Sequence, residues 1–163
     1  MFKAAWAANI PALTAAPLGF SGTLHVFSSP GMSFDEYFDM KDEQSFYDQI
    51  VNFILGLAPA ALHLPYMDLS GVDPKTGRGP SSVVGVQMAS CLVAAQAVKI
   101  LLDRKAVLAA PHYVQFDAYR LISKKGYLFA GNRNWLQKIK RKLLLHKFKQ
   151  LGLDKAFLGV DGG

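Results

Sequence analysis

One cysteine, Cys91, stands in a chain of 163 residues. That excludes an internal disulfide framework and a cysteine-based zinc site. The default compartment is therefore reducing and cytoplasmic. The four histidines, His25, His63, His112 and His146, are scattered with no metal-ligand spacing, so core or surface roles are expected for them. Acid is scarce at one end: residues 104–163 carry thirteen Lys/Arg and three Asp, whereas residues 1–103 carry five Lys/Arg and nine Asp/Glu. The formal charge of +6 thus conceals a balance of −4 followed by +10. The basic end suggests an acidic protein, an anionic membrane surface or nucleic acid as partner; the alternative is a solvated helix face. Nucleic acid is the weakest of these, because the basic residues lack the interleaved aromatics of single-strand binders and no groove-reading motif is present.

Charge is also missing between Arg78 and Lys99. A run of that length raises the question of a membrane span. Ser81, Ser82, Gln87, Ser90 and Gln96 punctuate it, and the reading is a buried helix. The first twenty residues are apolar with a single lysine, but Asn9 and Pro11 interrupt them, which argues against a secretion signal.

What is present is enough hydrophobic residue, 51%, for one domain with a real core. Residues 2–8 read as the end of a helix. Ile10 to Ala16 and Ser21 to Ser28 read as two strands joined by the turn around Pro17–Phe20. Ser33 and Glu36 have capping-box spacing. Ser45 to Leu57 carries Phe46, Ile50, Phe53, Ile54 and Leu57 at helical period. Leu69 to Pro80 is a Gly/Pro-rich loop. Ser81 or Ser82 caps a helix to Leu102 whose small residues, among them Gly85, Ala89, Ser90 and Ala94, allow close packing on a sheet. His112 to Tyr119 alternates, with Val114, Phe116 and Ala118 on one face, and Leu121 to Phe129 is its partner strand. Asn134 caps a helix from Trp135 to Gln150. Its expected apolar stripe is Trp135, Leu136, Ile139, Leu143 and Phe148, with lysines and Arg141 covering the rest. The tail to Gly163 reads as loose. The organisation expected is one unit over residues 1–130 and a basic amphipathic helix with tail over 131–163.

Four strings in this order resemble a known family. They are Ala7-Ala8-Asn9-Ile10-Pro11 through Thr14-Ala15-Ala16; Gly22-Thr23-Leu24-His25-Val26-Phe27; Gly77-Arg78-Gly79-Pro80-Ser81-Ser82 followed by Ala94-Ala95-Gln96-Ala97-Val98-Lys99-Ile100-Leu101-Leu102; and Gln115-Phe116-Asp117-Ala118-Tyr119-Arg120. Together they resemble the C-terminal half of the ThiF-type (ubiquitin-activating-enzyme-like) adenylyltransferases. The resemblance implies the C-terminal part of a Rossmann-like α/β fold: a mixed sheet, a long small-residue helix and, here, a basic C-terminal helix. It implies that complete relatives use ATP and Mg²⁺ to adenylate the terminal carboxylate of a ubiquitin-like or sulfur-carrier protein.

The Gly-rich turn and the phosphate-binding Arg and Lys of that family precede the point matched by Phe2, and no Gly-x-Gly-x-x-Gly occurs here. No ATP-site residue can be transferred, and no cofactor, metal or catalytic residue is assigned to this chain. It is expected to be inactive in adenylation alone and to work as a homo-oligomer or with a separate ATP-binding chain. The nucleophilic cysteine of some relatives has no counterpart between Met32 and Pro80, and Cys91 reads as a small core residue. Two weaker sites remain. Arg78, Gly79, Ser81 and Ser82 lead into a helix N-terminus and could contact an anion or a substrate tail, although an ordinary Gly-Pro helix entry with a Ser cap is the favoured explanation. Lys138, Arg141 and Lys142 could dock an acidic protein or an anionic membrane. The acidic residues Asp35, Glu36, Asp39, Asp42 and Glu43 read as a solvated loop. The final Gly162-Gly163 resembles the terminus of the family's substrates, but the body has no likeness to a ubiquitin-like fold.

Overall fold

The computed structural model describes residues 1–68, 80–104 and 107–154. The Gly/Pro loop at 69–79, with Arg78 and Gly79, and the tail from 155 onward lie outside the described residues. Gly19 is the natural starting point of the fold. Its φ of 58° is costless only for glycine, and it closes a hairpin between β1 (Ala12–Leu18) and β2 (Ser21–Phe27), with Leu18 opposite Ser21. β2 then pairs with β3 (His112–Asp117), and β3 with β4 (Ile122–Tyr127). The sheet order is β1-β2-β3-β4, and every ladder is antiparallel. Among the described residues, the parallel component of the expected mixed sheet is an isolated bridge from Gly19 to Ser81.

The expected first strand is displaced by two residues. Asn9 takes φ 53° and the Ile10 N–H still bonds Ala5 O, so the exit of α1 (Phe2–Ala7) delays extension until Ala12. At the far end Pro17 is tolerated because β1 is an edge strand.

Every residue of β2 is buried. The register assigns Gly22, Leu24 and Val26 to one face of the sheet and Ser21, Thr23, His25 and Phe27 to the other. The first face carries α4 (Val83–Leu101). Ser82 caps that helix as expected: its hydroxyl accepts the Gly85 N–H at 3.1 Å and donates to Gly19 O at 2.9 Å. Gly85 and Ala89 are the buried residues of α4. The reading of α4 as a buried helix is corrected by this geometry. A single side rides on the sheet, and Val83, Val98 and Leu101 on the other side are exposed. Cys91 is exposed for the same reason, correcting its reading as a core residue. By length and composition α4 is the one helix among the described residues that could cross a membrane.

The second face carries α2 (Phe34–Phe38) and α3 (Phe46–Leu57). The capping box at Ser33 and Glu36 is formed, and Ser45 caps α3. Phe27, Tyr37, Phe38, Leu57 and Ala110 make the main core, with Phe2, Phe34 and Phe53 around it. Phe46, expected in the apolar stripe of α3, is exposed. After a 3₁₀ turn at Gly131–Arg133, α5 (Trp135–Gln150) packs on α3. The stripe expected for α5 faces the wrong way: Trp135, Leu136, Ile139 and Leu143 are exposed, and of that set only Phe148 is buried. The inner side is made by Gln137, Arg141, Leu144, Leu145 and Phe148, with Phe148 against Val51 and Leu153.

Gly85→Ala tests the contact that seats α4. Helix propensity alone favours alanine by about 1 kcal/mol. The added Cβ, however, would sit inside contact distance of the Gly19 backbone carbonyl and 3.1 Å from Ser21 O, and backbone cannot rotate away. Overpacking of this kind costs about 1–3 kcal/mol. Urea denaturation should therefore show a net loss of stability; a gain would mean that α4 is not held at this distance.

Candidate functional site

The densest arrangement of functional groups lies on the buried polar face of β2 and β3. Asp117 is its centre. The Ser21 hydroxyl and the Tyr66 hydroxyl both donate to Asp117 Oδ2 at 2.6 Å, and the Arg120 N–H donates to Oδ1 at 2.8 Å. Tyr66 also accepts the Phe20 N–H at 3.1 Å. Gln115 Nε2 lies 3.4 Å from Ser21 Oγ and 3.4 Å from His63 Nδ1. Arg120 Nη1 reaches Leu62 O at 3.1 Å. These bonds clamp residues 62–66, the chain leaving α3, onto the sheet. His25 Nε2 pairs with the Tyr37 hydroxyl at 3.2 Å on the same face.

Burial opposes ionisation of Asp117, but the Ser21 and Tyr66 hydroxyls, the Arg120 N–H and the Arg120 charge outweigh it, and its pKa is held below the ordinary value. Burial pushes His25 down to about 4, and pushes His63 down to about 4 despite the nearby Asp117 charge. Both imidazoles are therefore neutral at pH 7. The Ser21 hydroxyl is bonded directly to a carboxylate with no imidazole between them, and Ser21, Gln115 and Asp117 are fully buried. The arrangement suits a rigid clasp; it does not present an activated nucleophile to solvent. A shallow recess of about 320 Å³ lies elsewhere, between the end of β2 and the C-terminal end of α4, lined by Ser28, Ser29, Lys99 and Asp103 among others. Among the described residues no three His, Cys, Asp or Glu come together as metal ligands.

At the start of α4, Ser81 is exposed and bridged to Gly19, while the Ser82 hydroxyl is engaged in the cap and in Gly19. Arg78 and Gly79 lie outside the described residues. On α5, Lys138 and Lys142 are exposed. Arg141 is turned inward: its guanidinium forms an ion pair with Asp48 and its Nε donates to Asn52 Oδ1 at 3.1 Å. Arg141 is thus a docking residue of α5 on α3, which corrects its placement beside the two lysines. The same seam holds Asn132 Nδ2 donating to Asn52 O at 2.6 Å and to Phe38 O at 3.1 Å, with Gln137 Nε2 donating to Asn132 Oδ1 at 3.1 Å.

Sequence reasoning missed both polar seams. Their partners are far apart in the chain, Ser21 from Asp117 and Asn52 from Arg141, so no local pattern announces them. The one local signal was an alternation in β3 that places Gln115 and Asp117 together. No family model matches this chain, and no curated protein matches it.

Two predictions follow from the titrating groups and the α5 seam. Histidines kept neutral with folded pKa values near 4 bind fewer protons than the unfolded chain between pH 6.5 and 4, so stability falls as the medium is acidified through that window. Each contributes on the order of 3 kcal/mol across it. Asp117, with its lowered pKa, adds a loss at lower pH that Asp117→Asn should abolish. Denaturant midpoints measured from pH 7 to 3 check both; a flat profile above pH 4 contradicts the buried neutral histidines. At the seam, Arg141→Ala should cost about 1–2 kcal/mol, because the pair is only partly buried. Lys138→Ala and Lys142→Ala should stay within about 0.5 kcal/mol. Equal effects from all three would remove the distinction drawn between them.

Proposed function

We propose that these residues form the carrier-facing part of a ThiF-type adenylyltransferase, a Rossmann-like α/β unit whose adenylation depends on a chain that supplies the ATP site. One observation carries the reading: the described parts of the resembling strings belong to β1, β2, β3 and the α4 helix packed on their sheet, with α2 and α3 intervening between the second string and the third. The first covers the exit of α1 and most of β1, the second covers β2 from Gly22, the described part of the third enters α4 at Pro80, Ser81 and Ser82 and forms its C-terminal half, and the fourth covers the end of β3. Gly19, Gly85 and Ala89 bring the hairpin and α4 together at close range.

Two open surfaces support association. The outer side of α4 presents Val83, Val98 and Leu101 to solvent. β1 and β4 are the edges of the sheet, and unpaired edges favour pairing with another chain. A second copy, or a chain bearing the Gly-rich turn, would cover either. Within this reading the start of α4 faces the carrier's terminal Gly-Gly, where backbone N–H groups and Ser81 meet a carboxylate. ATP and Mg²⁺ belong to the chain that supplies the phosphate site.

The test has two arms. ATP–pyrophosphate exchange by the purified chain alone should stay at background. Titration with a panel of ubiquitin-like sulfur-carrier proteins should show binding that weakens when the two terminal glycines are removed. Exchange without a second chain, or binding indifferent to the Gly-Gly tail, would sink the proposal.

A further inference from the structure

The geometry points to a second surface, unrelated to α4 and the hairpin: the outer face of α5, which we propose lies flat on an anionic membrane. Sixteen residues of helix contain no Asp or Glu and six Lys or Arg. Arg141 is used inside and Lys140 Nζ donates to Pro59 O at 2.8 Å, leaving Lys138, Lys142, Lys147 and Lys149. With 3.6 residues per turn, the side opposite Gln137, Arg141 and Phe148 carries Trp135, Ile139 and Leu143, four residues apart, and His146 and Gln150, bonded to each other, continue the line at the C-terminal end. Their exposures are 66%, 49% and 65%, and Leu136 beside them is 50% exposed. Lys138, Lys142 and Lys149 run along one flank of this stripe, and Lys147 stands on the other, beyond Lys140, whose ammonium is held by Pro59 O.

That order, apolar in the middle and lysine on both edges, is the pattern of a helix lying in the plane of a lipid interface. The apolar stripe enters the headgroup boundary, the long lysine stems extend sideways, and their ammonium groups meet acidic headgroups. Tryptophan at the end of the stripe favours the same depth. Phe129, 70% exposed in the segment leading to α5, extends the apolar surface at that end. The face is available without unfolding, because α5 is already held to α3 by its opposite side through Arg141, Gln137 and Phe148. An acidic protein partner would engage the row of Lys138, Lys142 and Lys149 and leave the apolar strip and Lys147 in water. A flat anionic surface takes the strip and the lysines on either side of it together.

The experiment uses the full chain with Trp6→Phe, which leaves Trp135 as the only tryptophan, and phosphatidylcholine vesicles with or without phosphatidylserine. Trp135 emission should shift to the blue with the serine-containing vesicles only, and the shift should weaken with added salt. Lys138→Gln and Lys142→Gln should each weaken binding roughly fivefold. Ile139→Gln with Leu143→Gln should abolish the shift while leaving the circular dichroism melt unchanged, since both sites are exposed. Four results overturn the proposal: no binding to anionic vesicles, equal binding to neutral ones, sedimentation with vesicles while Trp135 stays in water, or a Trp135 shift elicited by poly-glutamate in preference to lipid. The first and third are read on the chain with its stripe intact, so a misfolded stripe variant cannot obscure the answer.

Discussion

Burial of β2 on both faces is the constraint from which the rest of this structure follows. A strand covered on two sides needs two different layers. One face, Gly22, Leu24 and Val26, is small and apolar, and it accepts a helix whose contacting residues are Gly85 and Ala89. The other face begins with Ser21, Thr23 and His25, all fully buried. Buried hydroxyls and imidazoles are costly unless partnered. β3 supplies Gln115 and Asp117 beside them, the chain after α3 supplies His63 and Tyr66, and α2 supplies Tyr37. The ionised Asp117 holds this together, because it accepts from two hydroxyls and a backbone amide. Charge-assisted bonds of this kind are the stronger ones. The long connection from α3 to α4 is thus tied to the sheet by polar chemistry where an ordinary α/β layer would use apolar packing.

Elements of local origin were legible in the sequence. The caps at Ser33, Ser82 and Asn134 are all occupied in the structure, because a cap depends on residues within one turn. The strands of residues 21–27 and 112–117 were legible for the same reason. The side each element buries was not. In β3 the apolar alternation marks Val114 and Phe116, yet Tyr113, Gln115 and Asp117 are the more deeply buried set. In α5 the apolar positions mark Trp135, Ile139 and Leu143, yet Gln137 is buried and these are exposed. Periodicity identifies a face only when hydrophobic and buried coincide, and here polar side chains with distant partners reverse that. Cys91 was misplaced by the same assumption applied to α4, which has a sheet on one side and solvent on the other.

The candidate site at the start of α4 was legible as a helix N-terminus and little more. Ser82 could be read as a cap or as an anion contact. The structure gives it the cap, with its hydroxyl shared between Gly85 and Gly19. Ser81 beside it is exposed and bridged to Gly19.

The rotation of α5 follows from the two halves of its inner side. Near the C-terminal end, Phe148 fills the cluster with Val51 and Leu153, and burying such a side chain is worth about 1.5–3 kcal/mol. Near the N-terminal end no comparable residue points inward. Gln137 and Arg141 take that place, bonded to Asn132, Leu55, Asn52 and Asp48. Polar bonds add less net free energy each, about 0.5–1.5 kcal/mol, but they form in one orientation only. They fix the helix at the angle that keeps Trp135, Ile139 and Leu143 outside. A helix selected only for stability would place those three against α3 and leave the polar residues in water. Finding the reverse means that the outward apolar stripe is maintained against the pull of the core, as expected of a surface that meets a second apolar phase.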